Sequence, residues 1–385
     1  MKKNSFRNSK RIISACIGTA ALLLLGFSAC DFQPAQSIAR NRPVGGGLAQ
    51  GKATVKEFLE SGGGGGGINF NSIPSGDYNR KEKFLSKEQI AQKLNETDAS
   101  NLPSDPTQWY VELPKYTYPY KAGKLKQEYL DITVKRLNVL RELAGLPGVV
   151  TTDEYNDLAQ HGAALMVVTQ NFGHGSQPIP EGSNADDEFY KKGKEATNRG
   201  NVYPQYPLIQ SIDGYNLDPG NPGVGHRLWQ LSPGLQAVGI GSAIKKKDAN
   251  GKEIGLGGNV EVVTYTEAPD GQKPEPFDWN FISWPSPGYF PLEGNLFGSP
   301  SFWHVQFNKA KYIVGAGKII VTKLDTGEQW VEEHSGGLTL VFNKSNTWRA
   351  ESGCRYTYEV TGVRNINNIP ERFIFTTEFF NRKSL

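Results

Sequence analysis

Residues 223–233 read Gly-Val-Gly-His-Arg-Leu-Trp-Gln-Leu-Ser-Pro, "GVGHRLWQLSP". A histidine and an arginine stand side by side after two glycines, and apolar residues follow at once. His226 is therefore either a working residue at the mouth of a cleft or a piece of core packing. His174, in "FGHG", has the same setting: it directly follows a glycine and falls where a helix meets a loop. Loops carry function more often than helix interiors do. Two imidazoles brought together bind a divalent metal or exchange protons near neutral pH. No HExxH or CxxC spacing accompanies them, so spacing alone leaves both readings open. Of the other histidines, His161 lies among polar helical neighbours and reads as solvated. His304 and His334 fall in a β-rich tail and read as surface or edge residues.

Working outward, the pattern is mixed. Leu125 to Ala144 is amphipathic, with Tyr129, Ile132, Leu137, Leu140 and Leu143 at helical spacing. Gly145 and Pro147-Gly148 end it. Thr151-x-x-Glu154 reads as a capping box that opens a second helix, ending at Phe172-Gly173. Asp186 to Ala196 and Tyr206 to Tyr215 give two shorter helices. "LQAVGIGSAI" and "VEVVTYTE" alternate as strands around the turn "KKKDANGKE". After Trp284 the character changes. "WPSPGYFP" holds three prolines and is expected to lie outside regular structure. Short β-rich runs with turn signals between them follow, from "FWHVQFN" to "RFIFTTEFF", and predict a β-sandwich. Cys354, in "CRYTYEV", reads as a small buried hydrophobe.

The N-terminus reads as an export signal. Five basic residues and no acid precede Cys30, around the apolar run "IISACIGTAALLLLGFSA". That run is shorter than the ~20 residues a spanning helix needs. Phe27-Ser28-Ala29-Cys30 resembles a bacterial lipobox, with Phe27 in place of the usual Leu; the resemblance implies lipid on Cys30 as the mature N-terminus. Losing the signal takes the net charge from +3 to −2, which gives no electrostatic case for nucleic acid. The mature chain would keep only Cys30 and Cys354, so the fold stands without an internal disulfide. Residues 30–106, with six glycines from Gly62 to Gly67, read as a flexible tether. Within it, Ser86 to Glu96 reads as a short helix capped by Ser86. The expected organisation is a signal over 1–29, the tether over 30–106, a mixed domain over 107–283 and a β-sandwich domain over 284–385.

Several of these motifs occur together in a characteristic order: Asn138-x-x-Arg141, "YNDLAQHGAALMVV" leading to His174, "RGNV", "YNLDPGNPGVGHRLWQLSPGL" and "VGIG". Over residues 120–266 this order resembles the CAP superfamily of cysteine-rich secretory, antigen 5 and pathogenesis-related proteins, in its disulfide-free bacterial branch. "WPSPGYFP" with a β-rich tail resembles an extension on some bacterial members. The resemblance implies an α+β fold: an α-β-α sandwich with a central cleft, then an all-β domain. It implies a cleft of two histidines and two acids. The histidines fall on His174 and His226, and the second acid on Asp218. The first acid precedes an asparagine in the family; here Gly200 stands before Asn201, and Glu195 is the nearest carboxylate to take its place. His226 then reads as a cleft residue. Arg227 is expected to pair with Asp218 or Asp213, and Trp229 and Leu231 to enter the core.

Three functions follow. The first is a membrane-anchored, exported cell-envelope protein that binds a lipid, a small apolar ligand or a protein partner without catalysis. The second is a metal-dependent hydrolase, with zinc on His174 and His226 and Asp218 as third ligand. The third is a structural adhesion protein acting through the β-sandwich. No GxSxG motif or local cysteine motif assigns an enzyme class.

Overall fold

The computed structural model describes residues 85–204, 208–244, 258–264, 278–293, 302–343 and 350–385. The signal segment, Cys30, the glycine run and the turn "KKKDANGKE" lie outside the described residues. Residues 85–106, read above as the end of a tether, are folded. Helix α1 (Lys87–Glu96) carries the capping box of Ser86 and Gln89 and buries Ile90, Ala91 and Leu94. The reason is local. Its apolar residues are spaced for one helical face, and the glycine-rich composition stops before them.

A short antiparallel pair, β1 (Tyr110–Glu112) and β2 (Lys124–Leu125), leads into α2 (Gln127–Leu143). Strand β3 (Val150–Thr151) follows. Next comes α3 (Asp153–Thr169), whose N-cap is Thr152 rather than Thr151; the Thr152 hydroxyl accepts from the Tyr155 amide. Then come α4 (Glu188–Arg199), β4 (Gly200–Pro204), α5 (Ile209–Leu217) and α6 (Gly225–Gln230). Strands β5 (Ala237–Ala243) and β6 (Gly258–Thr264) complete a four-stranded sheet in the order β3-β5-β6-β4.

Helices cover both faces of this sheet. On one face, Leu158, Ala159 and Met166 of α3 and Ala196 of α4 pack on Val260 and Val262. On the other, Leu137 and Leu140 of α2 and Ile212 and Tyr215 of α5 pack on Val238, Ile240 and Val263. The "VGIG" motif has a steric cause. A Cβ on Gly239 would lie 2.0 Å from the Tyr155 carbonyl oxygen, and one on Gly241 2.2 Å from that of Ala159. Helix α3 therefore lies directly on the backbone of β5, which only glycine allows.

The C-terminal region is all β. Strands β7 (Phe281–Trp284), β9 (Phe302–Phe307) and β13 (Thr339–Asn343) form one sheet, in the order β13-β9-β7. The other runs β12-β11-β14-β15-β8, from β8 (Gly288–Pro291), β11 (Gly317–Lys323), β12 (Gln329–His334), β14 (Arg355–Asn365) and β15 (Pro370–Phe380); β10 (Tyr312–Val314) pairs with β14. "WPSPGYFP" is thus partly regular. Trp284 ends β7, and Gly288–Pro291 pairs in parallel with β15. Trp303 meets Tyr358 across the two sheets at 5.3 Å, and Phe307 meets Phe373 at 4.9 Å. Cys354 precedes β14 and is half-buried rather than core. One apolar cluster runs from the α2–α5 layer into this sandwich.

Candidate functional site

The site is built where four connections meet. His174 lies in the loop after α3, and its Nδ1 is 3.0 Å from the Thr197 carbonyl oxygen of α4. His226 is the second residue of α6. Its Nδ1 is 2.8 Å from Asp218 Oδ1, and its backbone amide donates to Asp218 Oδ2 at 3.0 Å. Asp218 ends α5 with φ +50, a left-handed conformation that Asp tolerates better than most residues. Asn221 Nδ2 donates to both oxygens of the same carboxylate. The two imidazole rings stack with centroids 6.1 Å apart and planes 21° apart. Tyr215 of α5 lies 5.8 Å from the His226 ring.

The partners set the tautomers. A carbonyl and a carboxylate can only accept, so Nδ1 carries the proton in both rings. In the neutral rings each Nε2 is then an acceptor left for a ligand. Burial holds the His174 pKa below its ordinary value, and the neighbouring His226 adds to this, against the Thr197 carbonyl bond.

Below the histidines lies a buried polar layer. Asn201, the second residue of β4, lies opposite Glu261 of β6. Its Nδ2 donates to Glu261 Oε2 at 2.8 Å and to the His226 carbonyl at 3.3 Å. Gln230 Nε2 donates to Glu261 at 3.1 and 3.3 Å. Glu261 is 1% exposed, and burial raises its pKa to about 7. Two arginines flank this layer. Arg141 donates to the carbonyls of Pro147, Gln230, Ser232 and Leu235. Arg227 donates to the carbonyls of Asn216, Leu217 and Phe302, and its Nη1 lies 3.5 Å from His304 Nδ1. Both are fully buried; burial brings each pKa down to about 10, which leaves both charged at neutral pH.

The structure brings His174, His226, Asp218 and Asn201 together. It does not bring Glu195, which sits on the outer face of α4, paired with Arg199 one turn on. Arg227 does not pair with a carboxylate; backbone carbonyls hold it, and Asp213 pairs instead with Arg136 at 2.7 and 2.9 Å. His304 is wholly buried against Arg227 rather than at an edge, and its pKa falls well below the ordinary value. His161 is partly exposed, and its Nδ1 lies 2.8 Å from the Asp157 carbonyl oxygen. Glu261 and Gln230 were not singled out in the sequence. Their signal was weak: Glu261 sits in an alternating strand where a polar residue reads as solvent-facing.

Zinc with Asp218 as third ligand does not fit. Both Asp218 oxygens are engaged by His226 and Asn221, so the carboxylate orients a histidine instead of facing a metal. Among the described residues no group of three or more His, Cys, Asp or Glu side chains is placed to hold a metal ion. Gly200, in the position of the family's first acid, has no room for a side chain. A Cβ there would lie 2.8 Å from Val260 and 2.9 Å from the carbonyl oxygens of Ala196 and Glu261.

These features define a class: an α-β-α sandwich that carries a stacked histidine pair, with an appended β-sandwich. The model of the CAP family, described as the Cysteine-rich secretory protein family, matches residues 134–263, and this part of the chain is a CAP domain. No curated protein matches the chain.

Proposed function

We propose that this protein is an exported cell-envelope lipoprotein, anchored to a membrane through Cys30, whose CAP domain is a non-catalytic binding module. Its ligand is a lipid, a small apolar molecule or a protein segment that offers hydrogen-bond donors to the histidine pair. One observation carries the reading. The two half-buried rings are stacked and both Nδ1 atoms are engaged, so each neutral ring keeps its Nε2 as an acceptor. Such a pair suits a hydroxyl or amide headgroup, and the buried Tyr215 ring backs His226 from the core side. The anchor rests on the sequence from Phe27 to Cys30.

A second reading has its own support. A histidine oriented by a buried carboxylate, as His226 is by Asp218, is also the arrangement of a general base. The described site offers no nucleophile beside it, which favours binding. The reading is tested by native mass spectrometry of the soluble part, purified as wild type and as the His174→Ala, His226→Ala double variant. A mass adduct on the wild type that the variant lacks supports binding at the cleft. An adduct retained by the variant, or none on either protein, overturns it.

A further inference from the structure

We propose that Glu261 and Gln230 form a proton-operated positioning device beneath the cleft, which holds α6, and with it His226, in one of two hydrogen-bonded arrangements. Glu261 is a positioning residue here: it acts on the histidine pair through α6 and touches no ligand.

The geometry supplies both states. Among the described residues, the side chains that donate to Glu261 are neutral amides, Asn201 Nδ2 and Gln230 Nε2, with no guanidinium or ammonium. A buried carboxylate held only by neutral donors is poorly compensated as an anion. On the same amide group, Gln230 Oε1 is buried and has no hydrogen-bond partner among the described residues. A buried acceptor left unpaired is costly, and it calls for a donor. Protonated Glu261 is that donor. In the ionised state the carboxylate accepts from the Gln230 amide group. In the protonated state its hydroxyl donates to Gln230 Oε1, while Asn201 still donates to the other oxygen. One proton moves between solvent and Glu261, and the Gln230 amide turns, giving up its Nε2 bonds to Glu261 and to the Ile212 carbonyl as its Oε1 accepts from the Glu261 hydroxyl.

The same amides grip α6. Gln230 is its last residue, and its backbone carbonyl accepts from Arg141. Asn201 donates to the His226 carbonyl as well as to Glu261. A change at Glu261 therefore reaches both ends of the helix. The charged and titratable groups in the layer that covers Glu261 are His226 and Arg227 on α6, Arg136 and Arg141 on α2, Asp213 and Tyr215 on α5 with Asp218 at its end, and Tyr203 on β4. The buried faces of α3 and β5 add no ionisable side chain, and that of α4 adds Tyr190. Desolvation outweighs the pull of His226 and Arg141 and moves the titration of Glu261 into the neutral range. The importance of this device for binding rests on the cleft reading above; its existence does not.

Carbon-13 NMR of the glutamate carboxyl groups in the full chain, without ligand, tests it. The Glu261 carbon is expected to titrate with a midpoint near 7. The backbone amides from His226 to Gln230 and the Asn201 side-chain amide should shift with that same midpoint. Glu261→Gln, which imitates the protonated acid, should abolish that shift in the α6 amides. A Glu261 carbon titrating in the ordinary carboxylate range would overturn the inference, as would α6 amides that shift equally in Glu261→Gln. If the variant does not fold, the wild-type carbon decides alone. A failure here leaves the binding reading intact, and a failed ligand search leaves this device intact.

Discussion

The two halves of the molecule bury different things. In the β-sandwich the interior is aromatic: Trp303 meets Tyr358 and Phe307 meets Phe373 edge-on across the two sheets, and Tyr358 stacks on Phe375 within one of them. In the CAP domain the layer between the sheet and α2, α5 and α6 holds Arg136, Arg141, Arg227, Asp213, Asp218 and Glu261, all nearly inaccessible. Aromatic packing stabilises without demanding direction, and many arrangements of similar volume serve. A buried polar layer gains little net stability over an apolar one and must be satisfied bond by bond. The difference separates a body that has to be stable from one that has to hold two imidazoles at a fixed spacing.

Truncating the aromatic side should cost most. Trp303→Ala removes a side chain in contact with Phe342, Tyr358 and Trp330, and about 4 kcal/mol of stability should be lost. Urea unfolding followed by circular dichroism measures it. A loss below about 1 kcal/mol would mean that the sandwich repacks freely. On the polar side, Asp213→Asn leaves Arg136 without its paired carboxylate and should cost about 3 kcal/mol. The double change Arg136→Met, Asp213→Leu should recover most of that, because a buried ion pair is replaceable by apolar volume. A double variant no better than the single one would show that the pair itself is required.

The smallest effect is the most informative about the polar layer. Glu261 has a pKa raised from 4.5 to about 7, so the folded state holds its proton where the unfolded chain has released it. Its contribution is present at low pH and is lost as pH rises from about 4.5 towards 7. His174 and His304, both lowered, act in the opposite sense: stability is lost as pH falls below their ordinary value of 6.5. Glu261→Gln removes the first effect only. It should raise stability by about 2 kcal/mol at alkaline pH, with the gain vanishing towards acid pH. Thermal unfolding of both proteins across this range checks the sign, and a gain that does not vary with pH would contradict it.

Much of this was legible in the sequence, for reasons that can be named. The helices followed from apolar spacing and stop signals, and "LQAVGIGSAI" read as a strand from its alternation, although not as one that a helix backbone touches. His174, His226 and Asp218 lie in short segments whose local order carries the cleft. Other features were hidden by their chemistry. The partners of Arg141 and Arg227 are backbone carbonyls, which no side-chain pattern reveals. Glu261 faces a helix layer rather than water, and alternation cannot tell a strand covered on both faces by helices from one that is half exposed. Glu195 was drawn to the cleft by proximity in sequence, although Arg199 four residues on already marked an outward-facing pair. The helix α1 announced itself through Ser86 and Gln89, but the glycine-rich composition before it concealed that it packs.

The nitrogen-15 shifts of the His174 and His226 rings at alkaline pH, recorded before and after one equivalent of zinc, bear most directly on a cleft that binds through a backed pair of imidazoles. Both rings should appear as the Nδ1–H tautomer with an unprotonated Nε2, and one equivalent of zinc should not hold both of them, because no third protein ligand is placed beside them among the described residues: Asp218 is engaged with His226 and Asn221. An Nε2–H tautomer in either ring, or a zinc-induced shift at both Nε2 atoms, would contradict that geometry and restore the metal centre.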